Sequence, residues 1–568
     1  MDTSLIGEII MFQKIAKLDY SRLFFHMAQL VLYIIAANLV LASVLFLLGR
    51  SISWWTLPVS FALAMGVLSY FYGDDDKRML LPECILTLLC MIAFTMVIGR
   101  FYDISWDGNA YHKVAIGMLE NGWNPVRELP EDAWAQADES FSGALIYCEA
   151  YCKVTWIFAA SVYALTGNIE SGKVYGILAI AVAFGLALYF LRKKGYQNLP
   201  SIGIAACIAL NPIAVQQMLT YYMDGFLHTM LAILIIGLLM LSDKERFDAK
   251  VSASIVACAM LICGNVKFTG LLYGGIFCIA FYLWNCITER KWFLSGVRYA
   301  ALAITTVCVC GFNPYVTNVM RHGSITYPLT GAGKRDIMSG NSPFEEQNHF
   351  RNVILSLFSK MDNYQNGSRH EAYLKLPFTI DWSYERPYLD IPDARLSGFG
   401  MLFSGALVLA LIVLVIYLIR GKKNRTYAMV VMNLVVCLAL TFGIKESWWA
   451  RYAPYIYFIP MIGLLVAAKS EKRLMRGVGA VLAITLLLNS GLYVLPMKNL
   501  YARSMFINSY LEQMRSNDMM EVANKDFEGV YYNLKDKDIL YIVNNEVWDD
   551  EDALRMEYQG TRYRYVSE

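Results

Sequence analysis

Residues 29–49 read QLVLYIIAANLVLASVLFLLG and contain no Asp, Glu, Lys or Arg. A helix needs about 20 apolar residues to cross the hydrocarbon core of a bilayer. This stretch therefore predicts a membrane-spanning helix. Runs that match it, or nearly do, recur along the chain at 54–72, 81–99, 173–191, 200–217, 225–241, 251–267, 268–287, 293–312, 399–419, 427–444, 453–468 and 477–496.

The composition indicates the same fold class. Of 568 residues, 57% are hydrophobic and only 17% are charged, and the mean hydropathy is +0.42. Soluble chains carry about 25% charged residues. We predict an all-α polytopic membrane protein with about thirteen transmembrane helices and with membrane lipids as partners. A net charge of +2 without a long basic block predicts no nucleic-acid partner.

Cysteine usage predicts no disulfide framework. Most of the twelve cysteines lie inside apolar runs, where they behave as small hydrophobic residues. Cys148 and Cys152 lie outside such runs, at i and i+4, and a metal or disulfide role stays open for them.

Basic clusters predict the topology, because cytoplasmic connections are enriched in Lys and Arg. The clusters are Lys77-Arg78, Arg192-Lys193-Lys194, Lys244/Arg246, Arg290-Lys291, Arg420/Lys422/Lys423/Arg425 and Lys469/Lys472/Arg473/Arg476. They share one side only if the short apolar run 154–166 does not cross the membrane. We therefore expect an interfacial or re-entrant helix there, an N-terminus inside and a C-terminus outside.

This topology divides the chain into six parts. They are N-terminal transmembrane helices (1–99), a large first extracytoplasmic loop with juxtamembrane helices (100–172), a central bundle (173–312), a second large outer loop (313–397), C-terminal transmembrane helices (398–496) and a small α/β extracytoplasmic tail (497–568). The tail contains a strand-like run at 538–543. No glycine-rich phosphate loop follows a predicted strand, so use of a cytoplasmic nucleotide is not expected.

Ionisable residues cluster at the outer ends of the predicted spans. Asp107 follows the third run, Asp224 precedes the sixth, Lys267 separates the seventh and eighth, and Glu446 and Arg451 flank a short outer turn. An ion-coupled transporter would keep such groups near the bilayer midplane. A carboxylate can take the proton of an acceptor hydroxyl, and cations can stabilise a departing phosphate. The layout therefore favours sugar transfer from a lipid-linked phosphate donor.

Residues 106–125, WDGNAYHKVAIGMLENGWNP, add a more specific signal. They resemble the loop entry of the GT-C superfamily of polyprenyl-phosphate-sugar glycosyltransferases, which includes protein O-mannosyltransferases and the lipid A aminoarabinose transferase. The resemblance implies that Asp107 is the catalytic base and that Tyr111 is the aromatic residue four positions later. Gly108 stands where the family often has Glu.

Later motifs also resemble this family, over about residues 81–496. Residues 154–167 resemble its juxtamembrane helix, although only Lys153 stands where a Lys-Pro-Pro motif usually precedes it. Asp224 matches the second acidic motif, Lys267 the basic residue near the lipid phosphate, and Arg451 the late Arg-Tyr signature. Segments 313–328 and 393–400 resemble a bacterial branch, which implies a bacterial plasma (inner) membrane and an active site on its extracytoplasmic face.

Direct displacement with inversion at the sugar is the expected mechanism, because nothing in the sequence marks a second nucleophile. Asp107 and Asp224 are the expected catalytic residues. The expected substrate-binding residues are Tyr111, His112, Lys153, Lys267, Tyr327, Glu446 and Arg451. The partners would be a polyprenyl-phosphate sugar donor and an unknown extracytoplasmic acceptor. No cofactor is implied with certainty, and a divalent metal stays open because no closed ligand spacing is present.

Simpler explanations exist for the same residues. Asp107 and Asp224 could cap helices, Lys267 could extend towards the membrane surface, and His112 could be an interfacial polar residue. At the level of function, the alternatives are a flippase or transporter of lipid-linked glycans, and an O-antigen ligase or polymerase. Activity of either alternative would survive Asp107→Asn.

Overall fold

The computed structural model describes residues 20–72, 74–134, 142–289, 292–335, 348–363, 372–514 and 519–566, with the backbone alone at 74–79 and 142–144. Helices dominate its first half: α1 Tyr20–Leu47, α2 Thr56–Phe71, α3 Asp74–Ile98, α4 Lys113–Glu120, α5 Pro130–Ala133, α6 Ser142–Ala150, α7 Val154–Thr166, α8 Tyr175–Lys193, α9 Asn198–Ala209, α10 Pro212–Gln217, α11 Asp224–Leu241 and α12 Ala249–Gly264. They continue as α13 Phe268–Glu289, α14 Trp292–Ile304, α15 Thr317–His322, α16 His349–Phe358, α17 Trp382–Glu385, α18 Phe403–Arg420, α19 Arg425–Gly443, α20 Pro454–Ala468, α21 Arg473–Leu492 and α22 Met497–Gln513.

Within the described residues, nine helical segments are long and apolar enough to cross a membrane. They are Tyr20–Leu47, Leu80–Ile98, Ile169–Lys193, Asp224–Leu241, Phe268–Glu289, Trp292–Cys310, Phe403–Arg420, Arg425–Gly443 and Arg473–Gln513. The protein is therefore a helical membrane protein. Four expected spans correspond instead to shorter helices, α2, α9, α12 and α20. The run 200–217 is broken at Asn211, whose side chain accepts a hydrogen bond from the backbone N–H of Ile213 and so caps α10.

Helix α1 lies at the centre of the N-terminal half and packs against α2, α3, α8 and α12. Its contact with α8 is close because Gly185 has no side chain. A Cβ atom at Gly185 would lie 2.5 Å from the carbonyl oxygen of Phe24. One turn further along α8, Tyr189 stacks on Phe25 with ring centroids 3.8 Å apart.

We expect Gly185→Ala to destabilise the protein, because the added methyl group meets rigid backbone of α1. Overpacking of this kind costs about 1–3 kcal/mol. Gly203→Ala on α9 is the matched control, since a Cβ at Gly203 would meet no heavy atom within 4 Å, and alanine is the better helix former. The check is the midpoint of thermal unfolding in detergent. Equal midpoints for the two variants would contradict this packing.

Basic connections meet at one end of the helical bundle. Lys194 pairs with Asp243 at 2.8 Å, Lys469 donates to the Lys194 carbonyl at 2.8 Å, and Arg425 donates to the Ser242 carbonyl at 3.1 Å. Helix α11 runs from this end to Asp224, about 27 Å away at 1.5 Å per residue. These basic connections and Asp224 thus lie at opposite ends of α11. Arg290 and Lys291, and the side chains of Lys77 and Arg78, lie outside the described residues.

The short run 154–166 forms α7, which has 13 residues and at about 20 Å is too short to span a bilayer. Its first ten residues are buried. Asn38 of α1 donates to Ser161 at 3.1 Å, and Tyr163 donates to Asp536 of the tail at 2.6 Å. The helix expected to be interfacial or re-entrant is therefore packed between α1 and the tail.

The tail contains a small α/β unit, as predicted. Its strands are β1 Met520–Ala523, β2 Tyr541–Val543, β3 Leu554–Arg555 and β4 Arg562–Tyr565, and its helices are α23 Val530–Lys535 and α24 Glu546–Asp549. The sheet order is β2-β1-β4-β3, with β1 and β2 parallel and the other pairs antiparallel. We call residues 519–566 the appendage. Only Tyr541–Val543 of the predicted strand-like run joins the sheet.

Candidate functional site

Asp107 precedes a π-helical turn, Gly108–His112, in the first loop. Its backbone is helical and its side chain makes no capping hydrogen bond, so capping does not explain this residue. One carboxylate oxygen instead lies 3.6 Å from Nη1 of Arg451. Position 108, where the resemblance leads us to expect glutamate, has no room for a side chain, because a Cβ at Gly108 would lie 2.1 Å from Oδ2 of Asp103.

Asp224 is the first residue of α11 and is almost fully buried. Its Oδ1 atom accepts a hydrogen bond from Nζ of Lys267, and its Oδ2 atom lies 3.9 Å from Nη1 of Arg451. Lys267 also lies over the ring of Tyr452, 5.0 Å from its centroid. The Asp224 carboxylate therefore interacts with two cations and does not act as the N-cap of α11.

Arg451 joins these groups. Its Nη1 atom faces Asp107 and Asp224, its Nε atom lies 3.2 Å from Oδ1 of Asp393, and Nη2 donates to the Tyr452 hydroxyl at 2.7 Å. Burial disfavours its charge, but Asp393 and the other acidic neighbours raise the pKa of Arg451 well above its ordinary value. The guanidinium therefore stays charged at the centre of the site.

Asp393, in the second loop, belongs to one of the motifs that resemble the bacterial branch but is not among the predicted site residues. The Trp449 indole N–H donates to its Oδ1 at 3.0 Å, and Arg395 lies over the same indole at 4.9 Å. Burial raises the pKa of Asp393 to about 6, against the opposing effect of Arg451. The adjacent acidic and basic residues of the Asp-Ala-Arg sequence at 393–395 could have indicated a site residue. Local sequence does not show which residues a loop side chain contacts, because tertiary packing determines them.

Three polar atoms of the site lack a hydrogen-bond partner among the described residues: Nε and Nη1 of Arg451, and Oδ2 of Asp224. All three are buried. Buried polar groups in proteins nearly always have partners. These atoms face oppositely charged groups as ion pairs, at 3.2–3.9 Å, without forming hydrogen bonds, so part of the hydrogen-bonding capacity of Arg451 and Asp224 is unused.

Aromatic side chains form one wall beside Asp107. Tyr111 packs against Tyr147 and Tyr151, with ring centroids 5.0 and 5.9 Å apart. Trp156 of α7 donates its indole N–H to Nδ1 of His112 at 2.6 Å. Burial, with the charge of Lys267 nearby, lowers the pKa of His112 well below its ordinary value. His112 is therefore neutral and is held as a hydrogen-bond acceptor at Nδ1.

Lys153 lies behind this wall. Its ammonium donates to the carbonyls of Glu149 and Tyr151 at 3.1 and 2.8 Å and lies between the rings of Trp123 and Trp156. Burial lowers its pKa to about 7. The structure does not place Lys153 against Arg451 or Lys267.

Tyr327 and Glu446 also lie apart from Arg451. Tyr327 stacks on His322 with ring centroids 3.5 Å apart. Glu446 is half-buried on the 3₁₀ turn Lys445–Trp448 and interacts electrostatically with Tyr273 and Tyr455. The structure therefore brings together Asp107, Asp224, Lys267 and Arg451, with Tyr111 and His112 beside them.

In the part of the chain that the structure describes, no three His, Cys, Asp or Glu side chains form a group that could hold a metal. The three carboxylates of the site are instead matched by Arg451 and Lys267. Cys148 and Cys152 are buried free thiols.

No model of a known protein family matches this chain, and no curated protein sequence does either.

We expect Lys267→Met to lower the thermal midpoint, because it leaves the Asp224 carboxylate buried without its hydrogen-bonding cation. Loss of a buried partner costs about 1–3 kcal/mol. The double variant Asp224→Asn/Lys267→Met removes both charges and should recover part of the loss. Strictly additive effects of the two single substitutions would contradict a coupled pair.

Proposed function

We propose that this protein is a membrane glycosyltransferase of the GT-C type, which moves a sugar from a polyprenyl-phosphate donor to an extracytoplasmic acceptor. The observation that carries the proposal is the Arg451 site. It combines the buried Arg451 guanidinium, of which two nitrogen atoms make no hydrogen bond within the described residues, with a second cation at Lys267 and the partly exposed Asp107 carboxylate. A phosphate needs such cations, and a hydroxyl nucleophile needs such a base.

In the proposed reaction, Asp107 accepts the proton of the acceptor hydroxyl. The hydroxyl oxygen forms a bond to the anomeric carbon while the bond between that carbon and the phosphate oxygen breaks. Arg451 and Lys267 stabilise the negative charge that grows on the departing polyprenyl phosphate. Asp224 fixes Lys267 through their hydrogen bond. One displacement without a covalent enzyme intermediate inverts the anomeric configuration.

The location that we propose is a bacterial plasma membrane, with the site on the extracytoplasmic face. The basic connections gather at the end of the bundle opposite Asp224, and the positive-inside rule assigns such an end to the cytoplasm. Donor and site then meet on the outer face, where lipid-linked rather than nucleotide-linked sugars are the expected substrates.

The test is sugar transfer by purified full-length protein in nanodiscs, with a panel of synthetic polyprenyl-phosphate sugars and simple hydroxyl acceptors. We expect the wild type to turn over at least one donor. Asp107→Asn should lower kcat by about 10²–10⁴-fold, the range for loss of a general base. The thermal midpoint should fall only slightly, because Asp224 and Asp393 still face Arg451.

Asp132→Asn is the control for this substitution, because Asp132 lies on α5 and, within the described residues, its carboxylate accepts a local hydrogen bond from the Leu129 N–H. Equal turnover by wild type and Asp107→Asn would remove Asp107 as base. Tight donor binding without turnover by the wild type would indicate a flippase instead.

The Asp393 carboxylate makes donor binding depend on pH. Below its pKa of about 6 it is neutral; above it, a third negative charge stands beside Arg451 and opposes an anionic phosphodiester. Raising the pH from 5 to 7 should therefore weaken donor binding by about threefold or more, the effect of one charge roughly 6 Å away in a water-like medium.

The measurement is donor affinity by fluorescence titration at a series of pH values. In Asp393→Asn, the weakening of donor binding between pH 5 and pH 7 that Asp393 causes should disappear. The other charged groups that face Asp393, namely Arg451, Arg395, Asp107 and Asp224, stay unchanged in that variant. An identical pH profile in wild type and variant would contradict the assignment.

A further inference from the structure

A second ionic cluster lies buried behind the site. Lys113 of α4 pairs with Glu170 at 2.5 Å, and Glu170 also pairs with Lys173. All three side chains are at most 1% exposed. Lys173 donates in addition to the Phe101 carbonyl at 2.5 Å. Buried charges persist only when every one is paired and hydrogen-bonded, so this cluster depends on all of its partners.

The appendage supplies two of those partners. Lys113 donates to Oδ1 of Asn533 at 2.9 Å and to the Tyr558 hydroxyl at 2.8 Å. Asn533 donates in turn to Glu170 at 2.9 Å, and the Tyr558 hydroxyl lies 3.0 Å from the Asp103 carbonyl, to which it donates. Residues more than 350 positions away in sequence therefore complete the cluster.

The same cluster contacts the segments that carry two of the three acidic residues of the site, Asp107 and Asp224. Asn109, two residues after Asp107, donates to the Asp103 carbonyl at 2.8 Å and accepts from Lys113. The Asp103 carboxylate accepts from the backbone N–H of Tyr221 at 2.7 Å, three residues before Asp224. Asp103 therefore ties the turn before α11 to the loop that carries Asp107.

The appendage also contacts the Asp107 segment and α4 directly, through one backbone hydrogen bond and one close packing contact. The backbone N–H of Gly529 donates to the Asn109 carbonyl at 2.8 Å. Gly117 of α4 faces Tyr532 so closely that a Cβ would lie 2.0 Å from its ring. The appendage therefore fits directly onto α4 and the π-turn before it.

We propose that the appendage is a positioning element of the site, in which Tyr558 and Asn533 hold the segments that carry Asp107 and Asp224. Tyr558 is a positioning residue that acts through Lys113, Asn109 and Asp103. The catalytic consequence rests on the proposed glycosyltransferase function, but the structural consequence does not.

Tyr558→Phe tests this role with the loss of one oxygen atom. The control is Tyr541→Phe in the same appendage, whose hydroxyl donates to the Tyr531 carbonyl at 3.2 Å, away from the cluster. Hydrogen–deuterium exchange of full-length protein in nanodiscs follows peptides that cover residues 105–121. Exchange in these peptides should rise in Tyr558→Phe and stay at the wild-type level in Tyr541→Phe.

Kinetics provide the second readout. A small misplacement of a catalytic group lowers the rate of the chemical step more than substrate binding. We expect Tyr558→Phe to lower kcat about tenfold, with the KM for the donor within about twofold of wild type, because Arg451 and Lys267 keep their own contacts.

Unchanged exchange in Tyr558→Phe would overturn the positioning role, whether or not the protein transfers sugar. Raised exchange with an unchanged kcat would overturn it as well. A wild type that transfers no sugar would count against the proposed function alone, and the exchange of residues 105–121 would then decide the positioning role by itself.

Discussion

A buried arginine surrounded by carboxylates from three separate segments is the constraint on which the rest of the structure depends. Arg451 faces Asp107 from the first loop, Asp224 from α11 and Asp393 from the second loop. A lone guanidinium in this environment would be strongly destabilising. The acidic segments must therefore converge, and their convergence places a site with three carboxylates around one guanidinium at one end of the helical bundle.

Behind this site lies a second buried set of charges with a different task. The Lys113–Glu170–Lys173 cluster has each of its charges paired within the protein, whereas Arg451 keeps two N–H donors without hydrogen-bond partners among the described residues. Complete pairing gives rigidity, and incomplete pairing leaves capacity for a ligand. Both sets of charges contact the segment around Asn109, so the fully paired Lys113–Glu170–Lys173 cluster supports the Arg451 site.

Much of this arrangement could be predicted from local sequence, since apolar run length and basic connections report directly on membrane helices. The convergence of Asp107, Lys267 and Arg451 was also expected, because each stands at the same predicted end of a span. The position of Asp393 was not, since loop residues are placed by packing that has no period in the sequence. Lys153 was expected near phosphate, but tertiary contacts enclose it between two indole rings. Four of the thirteen predicted runs form shorter helices, because hydropathy alone does not register a break such as the one at Asn211.

The measurement that tests the central claim most directly is a cryo-EM structure with a non-hydrolysable polyprenyl-phosphonate sugar bound in a nanodisc. We predict phosphonate oxygens within hydrogen-bond distance of Nη1 of Arg451 and Nζ of Lys267, and an anomeric carbon that faces Asp107. A headgroup bound between helices near the bilayer midplane, away from Arg451, would contradict this claim and would indicate transport of the lipid instead.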